Sequence, residues 1–353
     1  MSNVMDNRCP SCNAPITYKP SLGKFKCDYC DSEFNASDLK TEADSTVEVN
    51  ETVDNTEYVS YNCPDCGAQI IADENTSATF CLYCGNSSIL KNKLSGAFKP
   101  DFIIPFLKEK KDAVEAFKGL AKGRPFVPKT FLSEKNIEKI TGLYIPFWLY
   151  DLKVRGSVNM SATKVRTWSV GDTRHVETKY YDLYRQGTFD FEKVPVDGSS
   201  KFNDDIMNTI EPFDYKKMEA YNPAYLSGFL AEKYDIESDK AVDAAIKRVL
   251  KSSEEQMLAS AAGYSSKNIT KNGLAVTDQV SKYALLPVWM VNVKYNDKFY
   301  LFAMNGQTGE FIGDIPLDKK KVIVWIVSMF VGIAAGILLL FFIFVMGGKL
   351  WES

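Results

Sequence analysis

Residues 322–346 read VIVWIVSMFVGIAAGILLLFFIFVM, and this stretch decides how the rest of the chain must be arranged. Ser328 is its one polar residue. A helix of these 25 residues spans about 37 Å, which exceeds the roughly 30 Å hydrocarbon core of a bilayer. The alternative is a buried helix of a soluble domain, but such helices rarely run this far without a polar face. The stretch therefore predicts a transmembrane helix, and we expect all folded domains to precede it.

The charges on either side of this stretch predict its orientation. Lys319, Lys320 and Lys321 precede it, whereas Lys349 is the one basic residue after it. Because cytoplasmic flanks of membrane helices carry an excess of Lys and Arg, we expect the large N-terminal part to lie in the cytoplasm. The opening residues, MSNVMDNRCP, lack the apolar segment of a secretory signal peptide. The sequence therefore predicts a single-pass protein of the cell membrane with a cytoplasmic N-terminus.

Gly332 and Gly336 form a GxxxG pattern inside the membrane stretch. This spacing lets two helix backbones approach closely, so it favours a homodimer that forms through the transmembrane helix. Small residues also occur in membrane helices that do not pair, and that alternative stays open.

The eight cysteines all precede residue 85 and fall into two matching sets. In each set, fourteen residues separate two CxxC pairs. The sets are Cys9, Cys12, Cys27, Cys30 and Cys63, Cys66, Cys81, Cys84. Aligning the first set with the second superposes all four cysteines and also places Pro10 on Pro64 and Tyr29 on Tyr83. Residues 1–36 and 59–95 are therefore an internal duplication.

Paired CxxC motifs at this spacing are typical of zinc ribbons, in which two knuckles supply four thiolates to one tetrahedral Zn²⁺. Disulfides are an alternative, but they seldom persist on the reducing cytoplasmic side. Iron–sulfur or redox sites also use such cysteines. The one histidine, His175, is far away in the sequence, so each site should be all-cysteine and closed to catalytic water. We therefore predict two structural Zn²⁺ ions per chain.

Residues 37–58, between the ribbons, hold seven acidic side chains and one lysine. Like charge and few apolar residues predict a solvated flexible linker, so we expect the two ribbons to move relative to each other.

The charge distribution argues against nucleic acid as a partner. The formal net charge is -3, and the second ribbon has no basic residue from position 61 to 90. The first ribbon carries Arg8, Lys19, Lys24 and Lys26 against Asp28, Asp31 and Glu33. A phosphate backbone would meet little opposite charge on the second ribbon. Ribbon aromatics such as Tyr18 and Phe25 could stack on bases, but they more often form the small core beside the metal.

Residues 96–318 have the pattern of an α+β body. Helical spacing of apolar residues covers residues 107–122 and 238–262, with Ser238 as N-cap and Gly263 as the stop. Aromatic and β-branched residues predict strands at residues 142–154 and 282–295. Aligning these two segments places Pro146 on Pro287 and Trp148 on Trp289. We therefore predict two duplicated units, residues 96–236 and 237–318, each a helix packed on a curved antiparallel sheet.

Shorter patterns predict hairpins in the same region. Asn296-Asp297 suits one tight turn, and the segment from Asn305-Gly306 to Thr308-Gly309 suits the next. Residues 180–196 have the alternation of further strands, and VGDTRHVETKY around His175 is typical of a hairpin tip.

Several of these motifs together resemble the membrane-anchored double-zinc-ribbon proteins of Gram-positive bacteria. The motifs are the paired CxxC ribbons, PFWLYD (residues 146–151), FDYKKMEAYNPAYLSGFLAEKYD (213–235), LLPVWMVN (285–292) and FAMNGQTGEFIGD (302–314). Members are often labelled replication-restart helicase-like or transcription-factor-IIB-type because of their ribbons. The resemblance implies a membrane partner of a flotillin-like SPFH protein and of a phage-shock-protein-A homologue, acting in envelope stress.

We expect no enzymatic activity. The chain has no GxxxxGK[ST] phosphate loop, and a triad or Cys–His site would need His175. Acidic pairs such as Asp204-Asp205 and Glu254-Glu255 are more typical of solvated surface. Two classes of function remain, a membrane-tethered zinc-ribbon adaptor that recruits partners in envelope stress and, as the alternative, a nucleic-acid-binding ribbon protein held at the membrane.

Overall fold

The computed structural model describes residues 4–5, 8–39, 58–62, 69–73, 75–80, 87–90 and 98–351, the last range with gaps at 121, 203 and 297. Its α-helices are α1 (Lys110–Gly119), α2 (Glu134–Glu138), α3 (Asp204–Thr209), α4 (Ser238–Ser260) and α5 (Lys319–Trp351). Its N-terminal strands are β1 (Val4–Met5), β2 (Thr17–Lys19), β3 (Lys24–Lys26), β4 (Glu33–Phe34), β5 (Tyr58–Asn62), β6 (Gln69–Asp73), β7 (Thr76–Phe80) and β8 (Ser87–Leu90). The later strands are β9 (Phe102–Ile103), β10 (Thr141–Val170), β11 (Thr173–Asp197), β12 (Glu219–Ala220), β13 (Leu230–Glu232), β14 (Ser266–Asn272), β15 (Ala275–Tyr295), β16 (Lys298–Asn305) and β17 (Phe311–Gly313).

The α+β class predicted for the body is confirmed, but the strands of its two halves join in one sheet. Strands β10 and β15 pair antiparallel along their apolar segments, with Ile145 opposite Leu286. Around this pair the described strands build a 12-stranded sheet, and β2–β4 form a separate three-stranded sheet. Two separate sheets were expected, and the difference arises because the two duplicated strands bury their apolar residues by pairing with each other.

The same contacts occur in both halves about the Ile145–Leu286 pair. The indole nitrogen of Trp148 donates to the carbonyl of Ile236 at 2.8 Å, and that of Trp289 donates to the carbonyl of Lys108 at 3.0 Å. Each acceptor lies two residues before a helix, α4 or α1. Each tryptophan therefore fixes the helix that precedes the other half's central strand.

Matching backbone hydrogen bonds also occur in the two halves. The N–H of Gly198 donates to the carbonyl of Pro146, and the N–H of Gly306 donates to that of Pro287, both at 2.9 Å. Strand β13 runs parallel to β10, as β9 runs parallel to β15. Strand β13 precedes α4 as β9 precedes α1. The boundary at residues 236 and 237 stays a prediction.

The two helices predicted in the body lie where the periodicity placed them. Phe117 in α1 and Ala245 in α4 are fully buried at equivalent positions. Helix α4 ends at Ser260 with Ala261 as its C-cap, and Gly263, predicted as the stop, lies two residues later in the following turn with φ +82°. The N-cap of α4 is Glu237 and not Ser238. Hydrogen bonds from the N–H groups of Asp235 and Ile236 to the Gly198 carbonyl set the entry into this helix.

Strands β10 and β11 form a long hairpin whose tip lies at Gly171 and Asp172. His175 pairs with Trp168 near this tip, and their rings stack with centroids 5.4 Å apart. The hairpin tip predicted around His175 is thus confirmed.

Candidate metal centre and membrane anchor

The two CxxC segments of the first ribbon form matching turns. The N–H of Asn13 donates to the carbonyl of Cys9 at 2.8 Å, and the N–H of Asp31 donates to that of Cys27 at 2.9 Å. Asn13 and Asp31 adopt φ values of 60° and 58°. Asn and Asp tolerate this left-handed conformation better than other residues with a Cβ atom. The residue after each second cysteine therefore allows the chain to fold back around the thiols.

These turns bring four thiols to one point, where their sulfur atoms all lie within 4.8 Å of one another. The Sγ atoms of Cys9 and Cys30 are 3.6 Å apart, as are those of Cys12 and Cys27. Cys9 and Cys27 are buried, whereas Cys12 and Cys30 are exposed. The cluster could hold a metal ion, and four sulfur ligands from two knuckles fit a tetrahedral Zn²⁺ with no position left for water.

The pKa values of Cys12 and Cys30 shift in opposite directions because the thiols share one small site. Hydrogen bonds with Ser32 lower the pKa of Cys30 to about 6. A backbone hydrogen bond with Ala14 lowers the pKa of Cys12, but partial desolvation of its sulfur atom and hydrogen bonds with the three neighbouring thiols outweigh it and raise this pKa to about 12. Four thiolates at this spacing repel one another, so a bound dication is needed for all four to ionise.

The first ribbon is docked on the body. The ring of Tyr225 lies 5.2 Å from that of Tyr18 and 5.3 Å from that of Phe25. The N–H of Tyr18 donates to the carbonyl of Ser227, and the side-chain amide of Asn222 donates to the carbonyl of Ala36. The sequence pattern predicted Tyr18 and Phe25 as ribbon core. It missed Tyr225, although NPAYLSG is one of the motifs that carry the family resemblance.

The lysines of the first ribbon form ion pairs with carboxylates of the same ribbon. Lys19 lies 3.1 Å from Asp28, Lys24 lies 3.4 Å from Glu33, and Lys26 lies 2.9 Å from Asp31. The hydrogen bond and charge of Lys26 lower the pKa of Asp31. Carboxylates on the ribbon itself therefore balance the positive charges of these lysines.

The second cysteine set, Cys63, Cys66, Cys81 and Cys84, lies outside the described residues. When the two cysteine sets are aligned, strands β6, β7 and β8 nevertheless contain the positions of β2, β3 and β4. Gly67 and Gly85 stand where the first ribbon has Asn13 and Asp31. Glycine adopts the left-handed conformation most readily, so the sequence suits the same turns.

The described strands of the second ribbon pair with the body sheet and with the N-terminal strand β1. Strand β7 pairs with β13 of the body sheet, and β1 pairs with β8. The expected movement of the ribbons relative to each other stays a prediction. Linker residues 40–57 lie outside the described residues.

Helix α5 carries the candidate membrane span, Lys319–Leu340, with a mean hydropathy of 2.7 and none of its most apolar window buried. Its length and composition suffice to cross a membrane. Added Cβ atoms at Gly332 or Gly336 would meet nothing within 4 Å, so the predicted packing face is open.

The other residues considered for chemistry lie apart from the cysteines. His175 is exposed at the tip of the β10–β11 hairpin. Asp204 and Asp205 begin α3, and Glu254 of α4 accepts a hydrogen bond from Asn272. The structure does not bring these groups together with the cysteine cluster of the first ribbon.

Comparisons with known proteins give a sequence relative but no functional assignment. The chain is 33% identical over 327 residues to the "Uncharacterized protein YdjG" of Bacillus subtilis (strain 168), in an alignment that covers 79% of this chain and 95% of that protein. No family model matches the chain, and no solved structure matches it.

Proposed function

Since this chain belongs to the family of Bacillus subtilis YdjG, we propose from its own residues that it is a membrane-tethered zinc-ribbon adaptor. In this proposal, α5 crosses the cell membrane once, the N-terminal part faces the cytoplasm, and the ribbons and body recruit protein partners. The partners that the family resemblance suggests are a flotillin-like SPFH protein and a phage-shock-protein-A homologue in the response to envelope stress.

The observation that carries the proposal is the closed four-thiol cluster on a body that ends in an exposed apolar helix. A metal with four protein ligands has no open position for substrate, so its role would be structural. Confinement to a membrane raises the effective concentration for other membrane-bound proteins, which lets weak contacts add up to stable recruitment. A purified full-length chain that hydrolyses nucleoside triphosphates would contradict a purely non-catalytic role.

Two zinc ions per chain are part of the proposal. The matching strand positions and the glycines at positions 67 and 85 support a second site equivalent to the first. Because the first ribbon packs on the body through Tyr18 and Phe25, the adaptor surface is a fixed platform there.

The nucleic-acid alternative has less support. The lysines of β2 and β3 in the first ribbon already pair with carboxylates on the same ribbon. Phosphate contacts would give an affinity that falls steeply with salt, so a filter-binding titration of the full-length chain with DNA and RNA separates the two classes. We expect neither nucleic acid to be retained at physiological ionic strength.

The adaptor proposal is tested by following a fluorescent cytosolic stress partner in cells under membrane stress. Deletion of residues 322–353 should disperse the chain into the cytosol and abolish recruitment. Cys63→Ser with Cys66→Ser should leave the chain in the membrane but weaken partner capture, whereas Ser87→Ala with Ser88→Ala is the matched control. If the partner's localisation stays unchanged in the deletion and in the cysteine variant, the adaptor proposal is wrong.

The proposed topology has a separate test. In intact cells whose outer face is accessible, an added protease should leave the ribbons uncut. Digestion of the ribbons from outside would reverse the orientation that the flanking lysines predict.

A further inference from the structure

Two adjoining grooves lie where the body meets α5. Their volumes are about 620 and 510 Å³, and Ile315 and Leu317 line both of them. The first groove continues along Gly123, Arg124, Pro125, Phe126 and Val127. The second continues along Tyr300, Pro316 and the first turns of α5 at Lys319, Val322 and Ile323. One continuous surface therefore leads from the body onto the apolar helix.

The shared wall of the grooves is apolar and open. Leu317 is 61% exposed, and Ile323 is 60% exposed beside it on α5. Exposed large apolar side chains that adjoin a membrane helix are suited to contact with acyl chains.

The rim of the grooves carries free positive charge. Arg124 lines the first groove and Lys319 lines the second, and Lys122 and Lys320 lie next to these lining segments in the chain. All four are exposed, and none makes an ion pair with a residue that the structure describes. Two carboxylates are nearby, Asp314 in the first groove and Asp318 at the start of α5. Asp318 already accepts from the N–H groups of Lys320 and Lys321. Positive charge thus exceeds negative charge around the opening.

Specific contacts fix the level of the grooves relative to the helix. The ammonium group of Lys321 donates to the carbonyl of Val127 at 2.8 Å, and the N–H of Asp318 donates to that of Phe126 at 2.8 Å. The rings of Phe126 and Trp325 meet edge to face with centroids 5.7 Å apart. Tryptophan is enriched at the level of lipid headgroups, so these contacts hold the grooves at that level when α5 spans the bilayer.

We propose that the grooves bind an anionic phospholipid from the leaflet that faces the body. Its phosphate lies against Arg124 and the lysines at the start of α5, and its acyl chains lie along Leu317 and Ile323. Charge complementarity and the unbroken apolar surface from groove to helix favour this occupant. The inference rests on the proposed membrane insertion of α5.

Native mass spectrometry of the full-length chain in a mild detergent tests the site. Phosphatidylglycerol should bind with at least ~tenfold higher affinity than phosphatidylcholine of the same acyl chains, since each basic residue near a membrane surface adds to the attraction of anionic lipid. Lys122→Gln with Arg124→Gln should weaken phosphatidylglycerol binding about tenfold. The matched control, Lys240→Gln with Lys247→Gln, removes two exposed lysines from α4 and should leave the affinity unchanged.

Each other outcome contradicts the proposal. Equal binding of the two lipids, or equal losses in the variant and its control, would show that no specific groove selects anionic lipid. Displacement of the lipid by an equal concentration of glycerol 1-phosphate would assign the site to a soluble phosphate. Resistance of the wild-type chain to alkaline extraction from membranes is measured separately, so a failure of membrane insertion is distinguished from a failure of lipid binding.

Discussion

The carboxamide of Asn305 shows how a single residue of the NGQTG motif joins distant parts of the body. It is fully buried, and its nitrogen donates to the carbonyls of Ile210 and Pro212. Its oxygen accepts from the N–H groups of Gln307 and Thr308. The turn at Asn305 was predictable from the sequence because turn chemistry is local. The hydrogen bond from Asn305 to Ile210 was not predictable, because these residues are 95 positions apart.

Asn305→Ala should lower the free energy of unfolding by about 3 kcal/mol, because it leaves buried backbone groups without partners. Thermal and denaturant unfolding of the full-length chain in detergent measures the change. Asn268→Ala, at an exposed position in β14, is the control and should stay within about 0.5 kcal/mol of the wild type. Equal stability of the two variants would contradict the role given to Asn305.

At the scale of elements, the first ribbon illustrates what local pattern can and cannot predict. The CxxC spacing predicted both knuckles, and the structure brings their four sulfur atoms together. The docking of β2 and β3 on Tyr225 was not predictable, since Tyr225 lies 200 or more positions after Tyr18 and Phe25 in the sequence. The second cysteine set, outside the described residues, remains a prediction from the duplication.

Tyr225→Ala should undock the first ribbon without removing its metal. The substitution deletes the ring that covers Tyr18 and Phe25, but it leaves all four thiols in place. Loss of a buried aromatic ring should lower the free energy of unfolding by about 3 kcal/mol. Hydrogen exchange should accelerate at residues 17–26, while the zinc content stays the same.

Tyr225→Phe is the matched control for this experiment. It keeps the ring and removes the hydroxyl group that donates to Glu219. Slow exchange at residues 17–26 should be retained in this variant. Zinc loss in Tyr225→Ala, or unchanged exchange there, would show that the ribbon is not held in the way the ring contacts indicate.

Across the whole molecule, the duplication is clearest in the contacts between the two halves. The aromatic pairs Phe106–Trp289 and Tyr234–Trp148 are equivalent, with centroids 5.2 and 4.8 Å apart. The sequence showed the duplicated strands, because the Pro-x-Trp spacing repeats. Their pairing into one sheet depends on long-range burial, which sequence periodicity does not encode.

Equivalent glycines in the two halves test this symmetry and its limit. A Cβ atom added at Gly306 would lie 2.6 Å from the ring of Phe106. A Cβ atom added at Gly198 would have the Cβ atom of Tyr234 as its nearest contact, at 3.2 Å. Gly306→Ala should therefore lower the free energy of unfolding by about 2 kcal/mol through overpacking. Gly198→Ala, the control in the same fold context, should cost less than about 1 kcal/mol. The reverse order in thermal unfolding would contradict the packing described around Phe106.

The central claim is that each ribbon is closed by its own zinc ion. The most direct measurement is the metal content of the full-length chain, by elemental analysis, in the wild type and in two paired variants. We expect two zinc ions in the wild type and one in each variant, Cys9→Ser with Cys12→Ser and Cys63→Ser with Cys66→Ser. A wild type with one zinc ion that only the first variant loses, or one that holds iron, would contradict it.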